Sequence, residues 1–567
     1  MNILGIWGYS AESTGPTHES GACLIRDGQI VAAVNEERLS RKKSDGGYPF
    51  LAIDEVMRLV GVGPGDLDMV SLAGLPPFSR AAKMFRTQWQ LWRDTGTILP
   101  RRLLYASLTA KQVRRKLPDH LKGIPRREWA HHRCHAASAF FASPLDQATV
   151  ITLDGIGDSS ICGTISSGRG NELDLVHEFN GYYSPGILYS FITKSFGFRP
   201  ARHEGKITGL AAYGDPETCI ADFRALLGYD ASRHRFFSRH IPTLFKPGSE
   251  DLWSIPLISD LLNRLEHKDI AAGLQQVVEE SVVSMVRDAL DQTGIRDVAL
   301  AGGVFANVKL NQRIREIDGI GDIYVFPGMG DEGLMVGAAY LAERWLCGTR
   351  GQKPERDFLK QVYLGPAPAD DDIRQAASRE DLHVELVDPI EDRIADLLSE
   401  GKVVGRFAGK MEFGPRALGN RSILADPRDP AINAWLNEKL KRTEFMPFAP
   451  SIMVEHAPDY FVDWQASQTP SRYMTMTYDV FPERQGDCRA VVHVDGTARP
   501  QVVRREDNPS FHRILEAYRE RTGLPLLVNT SFNIHEEPIV CSAEDAVRAY
   551  VAGSVDVLAA GNLIVSR

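Results

Sequence analysis

The chain has 567 residues, 43% hydrophobic and 25% charged, the proportions of a globular protein too long for one core, so two to four domains are expected. Its 74 acidic against 65 basic residues give a net charge of −9, which argues against a nucleic-acid partner, and no apolar run approaches the ~20 residues a membrane helix needs. Seven dispersed cysteines without a C-x-x-C pair, and an N-terminus with no basic segment before an apolar core, predict a reducing, cytoplasmic setting without a secretory signal.

In chain order, residues 3–7 read as a strand, followed by a hairpin of 23–26 and 29–34 around the turn pair Asp27-Gly28. A basic, amphipathic stretch over 77–121 reads as a solvated helix face, with a calmodulin-like or membrane-surface role as the alternative. A buried-type strand over 148–153 ends at Asp154-Gly155, and a long amphipathic helix over 269–292 stops near Gly294. Strands at 297–300 and 323–326 run into Gly302-Gly303 and P-G-M-G-D-E-G, the latter followed by a helix to about Trp345. Strand, glycine turn and helix in succession predict an α/β domain with ligands at the carboxyl ends of strands. The polar segment C-G-T-R-G-Q-K-P-E-R from Cys347 reads as a linker. Beyond it come a strand at 403–407, a helix at 543–550 and a strand at 555–559, with no sequence repeat anywhere.

Four constellations could carry chemistry. His131 and His135 in H-H-R-C-H are four apart and share a helix face, while His132 points about 100° away. With Asp154 and Asp331 at strand ends they would complete a His/His/Asp/Asp site that suits Fe(II), Mn(II) or Zn(II) better than Ca(II); the alternative is a pair of hydrogen-bonded interface histidines. D-G-I-G-D at Asp154 and A-G-G-V-F-A-N at Ala301 each follow a strand and could offer backbone N–H groups to phosphates, or be plain turns; neither is a Walker A or Rossmann pattern. H-E-G-K-I-T-G-L-A-A-Y-G places Glu204 and Lys206 before a small-residue helix, where the glutamate could hold a ribose and the lysine a phosphate, or the two could be a surface salt bridge. Last, E-F-G-P-R-A-L-G-N-R-S-I-L-A-D-P from Glu412 sets Arg416 and Arg421 among glycines, and Lys439, Lys441, Arg442, Arg499, Ser531 and Asn533 follow it. Arginine forks with short neutral donors suit a small planar group joined to a phosphate; the alternative is a surface loop with solvated arginines.

These motifs, with E-E-R-L-S-R-K-K at Glu36, P-F-A-P at Pro447, H-V-D-G-T-A-R-P-Q and N-T-S-F-N, resemble end to end the carbamoyltransferases of nodulation-factor and antibiotic pathways. The resemblance implies an α/β protein. Its N-terminal part, residues 1–346, would be a duplicated actin/sugar-kinase-like domain with a core like the tRNA threonylcarbamoyl-transfer protein. A linker at 347–357 would lead to a C-terminal α/β domain, 358–567, similar to the threonylcarbamoyl-adenylate synthase. It implies that the C-terminal domain turns carbamoyl phosphate and ATP into carbamoyl-adenylate, and that the N-terminal domain passes the carbamoyl group to a hydroxylated small molecule near a metal, commonly iron, with Mg(II) accompanying ATP.

Carried over by motif, His131, His135, Asp154 and Asp331 look like Fe(II) ligands. Arg416, Arg421, Arg499, Ser531 and Asn533 look like carbamoyl-phosphate and nucleotide contacts, and Lys43, Gly302, Gly303 and Asn307 would hold the adenylate. His18, near the first strand, is the candidate general base, with a structural role as the alternative. Many relatives carry an arginine where Met446 stands, which leaves open whether Lys439, Lys441 or Arg442 meets the substrate. The acceptor and the oligomeric state, a homodimer included, are open too. Two other readings fit parts of the pattern: a tRNA threonylcarbamoyladenosine-forming enzyme, and a non-catalytic actin-like ATP-binding protein, which would need neither the histidine pair nor the arginine-rich segments.

Overall fold

The computed structural model describes residues 1–8, 19–74, 86–87, 89, 117–239, 256–439, 445–534 and 536–567. Most of the basic stretch expected at 77–121, together with His18, Lys441 and Arg442, lies outside the described residues.

Strands β1 (Asn2–Trp7), β2 (Gly21–Arg26), β3 (Gln29–Asn35), β4 (Met69–Ala73) and β5 (Arg126–Trp129) form one sheet in the order β3-β2-β1-β4-β5. The β2–β3 hairpin turns where expected, with Asp27 at φ 47° and Gly28 at φ 84°, the two positive values that a two-residue hairpin turn requires. A second sheet is made of β6 (Gln147–Leu153), β7 (Ile161–Arg169), β8 (Glu172–Asn180), β11 (Val298–Ala301) and β12 (Ile323–Val325). Its order, β8-β7-β6-β11-β12, repeats the first: an antiparallel meander of three strands, then two strands added in parallel beside the first. The duplication is therefore one of topology, carried by segments with no sequence similarity. A small hairpin of β9 (Gly228–Asp230) and β10 (Arg235–Phe237) stands beside the second sheet.

Among the helices of this half are α1 (Glu36–Ser40), α2 (His131–Phe141), α3 (His267–Thr293), α4 (Val308–Arg315) and α5 (Leu334–Thr349). α2 and α5 lie between the two sheets, and their residues join Ile3, Trp7, Val150, Ala299 and Phe326 in one apolar core. The amphipathic α3 covers the far face of the second sheet and stops at Gly294, whose φ of 67° gives the left-handed cap. α5 continues to Thr349, past the expected end at Trp345. After it, Arg356 lies 4.3 Å over the Phe140 ring and donates to the Phe140 carbonyl at 3.1 Å, so residues 356–359 pack on the end of α2.

The rest of the chain builds an eight-stranded mixed sheet in the order β13-β22-β21-β14-β15-β20-β16-β19. Its strands are β13 (His383–Leu386), β14 (Val404–Phe407), β15 (Arg421–Ala425), β16 (Ala449–Met453), β19 (Gln501–Val503), β20 (Leu526–Ser531), β21 (Val557–Ala560) and β22 (Leu563–Ser566). β17 (Tyr478–Asp479) and β18 (Thr497–Ala498) pair separately. One apolar core runs from Leu153 and Phe305 through Leu310 of α4 into Tyr478, Val502 and Phe532, joining the two halves. Among the described residues no helix is long and apolar enough to cross a membrane.

Candidate active site

The histidine pair opens α2, Asp154 follows β6, and Asp331 follows β12, so parallel strand ends and one helix start converge on a point. His131 Nε2 lies 3.1 Å from Asp154 Oδ2, 3.1 Å from His135 Nε2 and 3.5 Å from Asp331 Oδ1. His135 Nε2 lies 3.5 Å from each of the two carboxylates. All four ligand atoms sit within 4.8 Å of one another, and Asp331 Oδ1 is buried with no hydrogen-bond partner. Two imidazole nitrogens turned toward each other, with carboxylate oxygens filling the remaining corners, match the spacing of donors around a four-coordinate divalent ion of the Fe(II), Mn(II) or Zn(II) class. Burial alone would push His135 down, but the adjacent Asp154 and Asp331 carboxylates carry it up to about 9. Asp154 is held well below the carboxylate range, burial being outweighed by the two histidines.

His132 does point elsewhere. Its Nδ1 is 3.0 Å from Thr152 Oγ1 and its Nε2 is 3.0 Å from the Ile161 carbonyl, and burial followed by the neighbouring histidines keeps it neutral. Its ring fastens α2 to β6 and β7. Gly157 has to be glycine for these rings, because a Cβ there would stand 2.7 Å from His131 Cδ2.

A cavity of about 1330 Å³ opens from this cluster. Its wall includes His131, Asp154 and Asp331, and also Lys43, Glu204, Lys206, Gly303 and Asn307 from the first half. From the second half it includes Arg416, Arg499, Ser531 and Asn533. Ser531 donates to Asn533 Oδ1 at 2.7 Å, while the Asn533 amide donates to the carbonyls of Ile534 and Glu537 at 2.9 and 3.1 Å. Glu204 Oε1 accepts from Ser190 Oγ at 2.8 Å, and Asn307 caps α4 through the Leu310 N–H at 3.1 Å. Lys206 lies 5.3 Å over the Phe198 ring. Lys43 Nζ is 3.7 Å from Glu37 Oε1.

Three expected contacts stand elsewhere. Arg421 does not line the cavity: it is fully buried, and its guanidinium donates to the carbonyls of Ala408, Asn420, Pro366 and Gly409 at 2.7–3.1 Å. Four backbone acceptors take its Nη1 and Nη2 donors, and its Nε is buried behind the cavity wall, so the fork is turned into its own loop. Gly302 also lies behind the wall, where its φ of 106° and a would-be Cβ 2.1 Å from the Leu153 carbonyl explain the residue by close approach to β6. Lys439 is exposed beside Trp435, away from the cavity.

The cavity wall also holds charged groups to which the sequence reading gave no role. Glu332 is buried beside Glu19, and burial and then the Glu19 carboxylate hold it well above the usual range. Arg38 Nη1 is 2.7 Å from Glu37 Oε1, and Arg202 Nη2 is 2.7 Å from Glu536 Oε2. Glu332 and Arg38 stand inside G-D-E-G and E-E-R-L-S-R-K-K, so the motifs pointed to them even though their roles needed the fold.

Comparison with known proteins bears on both halves. Residues 13–340 match the family described as carbamoyltransferase N-terminus, and residues 395–567 match carbamoyltransferase C-terminus. The nodulation protein NolNO of Sinorhizobium fredii is 34% identical over 97% of this chain and 79% of its own length. Nodulation protein U of Rhizobium tropici is 35% identical over 92% of this chain and 90% of its own. Among solved structures, component A of the (R)-2-hydroxyglutaryl-CoA dehydratase of Acidaminococcus fermentans is 18% identical, covering 60% of this chain and 97% of that one with a TM-score of 0.33. HypF of T. kodakarensis is 15% identical over 63% and 48%, with a TM-score of 0.32.

Proposed function

The chain belongs to the carbamoyltransferase family, and from that premise we propose that it is an ATP-dependent O-carbamoyltransferase working in two steps across one cavity. Residues 358–567 make the activated donor, residues 1–346 transfer it, and 347–357 link them. In the first step carbamoyl phosphate, ATP and water give carbamoyl-adenylate, phosphate and pyrophosphate. Arg416 and Arg499 offset the anionic charge, and Ser531 and Asn533 face the planar carbamoyl group. In the second step an acceptor hydroxyl attacks the carbamoyl carbon. The new C–O bond forms as the bond to AMP breaks, and the hydroxyl proton passes to a base, for which His18 is the candidate. Lys43, Glu204, Lys206, Gly303 and Asn307 retain the nucleotide meanwhile. His131, His135, Asp154 and Asp331 would hold a divalent ion, which would supply Lewis-acid stabilisation of negative charge on oxygen.

The activation has a physical reason. A carbamoyl group is resonance-stabilised and reacts poorly until it carries a good leaving group, and the resulting mixed anhydride must then be kept from water. The observation that supports the reading best is that Arg416, Arg499 and Ser531 share one cavity with His131, Asp154 and Asp331, so an intermediate made at one end reaches the other without entering bulk solvent. The acceptor is a hydroxylated small molecule. Incubation with carbamoyl phosphate and labelled ATP tests the proposal: AMP and pyrophosphate should form, and Arg416→Ala should abolish both. Formation of ADP in place of AMP, or an unaffected Arg416→Ala protein, would overturn it.

A further inference from the structure

We infer that α1 is a clamp between the two halves and that Arg41 is a positioning residue that keeps the activated carbamoyl group from water; the inference rests on the two-step reading above. α1 has five residues, yet Arg38 within it and Arg41 at its cap reach two segments of the second half that border the cavity. Arg38 Nη2 donates to the Gly414 carbonyl at 3.0 Å, two residues before Arg416. Arg41 donates from Nη1 to the Ile539 carbonyl at 2.7 Å and from Nη2 to the Pro538 carbonyl at 2.9 Å, and its Nε is 3.0 Å from Asp545 Oδ1. Asp545 fixes the same turn from the other side, its Oδ2 accepting the N–H groups of Cys541 and Ser542 at 3.1 Å each. The turn is tied in turn to the Ser531/Asn533 pair, because the Asn533 amide donates to the Glu537 carbonyl.

Arg38 lies within the helix and Arg41 three positions on, as its cap residue. Arg41 closes it in the left-handed region, at φ 60°, with its N–H on the Glu37 carbonyl. That cap fixes where its fork points. Arg41 does not itself line the cavity, whereas Glu37, Arg38 and Lys43 around it do. Its side chain therefore acts on chemistry through the loops it grips. A planar fork bound to two adjacent carbonyls and a carboxylate is a rigid attachment that a lysine cannot reproduce. Without it the turn over 537–541, and the Ser531/Asn533 pair tied to it, are free to part from the first half and water enters there. Water attack on carbamoyl-adenylate breaks the bond to AMP and leaves carbamic acid, which decomposes to ammonia and carbon dioxide.

The test needs no acceptor. With the full chain, ATP and carbamoyl phosphate, labelled pyrophosphate exchange into ATP reports formation and reversal of the adenylate, and AMP release reports its loss to water. Arg41→Ala should keep exchange within about twofold and raise AMP release about tenfold, with Arg41→Lys in between. Native-state hydrogen exchange should quicken at residues 537–541 in the same protein, while 414–418, held by Arg38, keeps its protection. If Arg41→Ala does not fold, Asp545→Asn removes the carboxylate end of the same grip and should show the same two changes to a smaller extent. A fixed ratio of release to exchange, or unchanged protection of the 537–541 turn, overturns the clamp. Absence of exchange in the unmodified protein overturns the two-step reading instead, and the loop protection then still decides whether α1 holds the halves together.

Discussion

Arg416 and Arg421 stand five residues apart in one motif and in opposite environments. Glu412 shows why: its Oε1 accepts the N–H groups of Leu418, Asn420 and Arg421 at 2.7–3.1 Å, folding the segment into a loop around its own carboxylate. Arg421, at the start of β15, binds that loop from beneath, and Arg416 is left half-buried on the cavity wall. Residue type made both arginines candidate anion contacts; which one faces the cavity depends on the strand boundary between them, which composition does not encode. Arg421→Met should cost about 3 kcal/mol or more in denaturant unfolding, since it strands buried carbonyls. Arg416→Ala should change unfolding by less than about 1 kcal/mol while removing activity. The histidine trio separates in the same way, and here the helical spacing was enough to tell His131 and His135 from His132. Protein purified with the metal expected at the cluster should lose it on His135→Ala, measured by elemental analysis of desalted samples. His132→Asn should retain it while losing about 2 kcal/mol of stability.

At the scale of elements, the local signals were readable and the pairings were not. The Asp27-Gly28 turn, the strand into Asp154 and the long helix before Gly294 all stand within a few residues of their expected limits, because turn chemistry and helical period are written locally. The repeated order of the two five-stranded sheets left no sequence trace, since each copy needs only apolar strands of the right length, which many sequences satisfy. α5 lies between those sheets, and its burial has a consequence for pH. Glu343 on α5 is 2% exposed, and burial raises it from an ordinary 4.5 to about 7 against the pull of Arg344. The folded state thus holds this proton more tightly than the unfolded chain does. The stabilisation is full below about pH 4.5, declines as pH rises toward 7, and is gone above it. Glu343→Gln should flatten that decline, with a gain on the order of 2 kcal/mol at pH 8 relative to the unmodified protein. Urea midpoints measured from pH 5 to pH 8 would show whether the two curves diverge in that direction.

The whole molecule is joined by more than its linker. α4 belongs to the first half, yet its Asn311 is fully buried and donates through one amide nitrogen to the carbonyls of Phe305 and Thr475, each at 2.7 Å. Around it the Thr477 N–H reaches the Val308 carbonyl at 3.2 Å, Thr477 Oγ1 donates to Gln312 at 2.8 Å, and the apolar core continues across the same boundary. A cavity built from both halves keeps its geometry only if they unfold together, so calorimetry should record one cooperative transition. Asn311→Ala should lower stability by about 2–4 kcal/mol, because two buried carbonyls on opposite sides of the boundary lose their donor at once. Asn311→Asp is the sharper test. It preserves volume but offers an acceptor where two acceptors already point, so it should destabilise at least as much as alanine and split the transition in two. The neighbouring ion pair Lys309–Asp495, at 2.9 Å and partly exposed, crosses the same boundary, and Lys309→Met should cost less than about 1 kcal/mol. If the ion pair proves the costlier loss, the halves are held by surface charge, and the shared core with its buried amide is not what keeps the cavity closed.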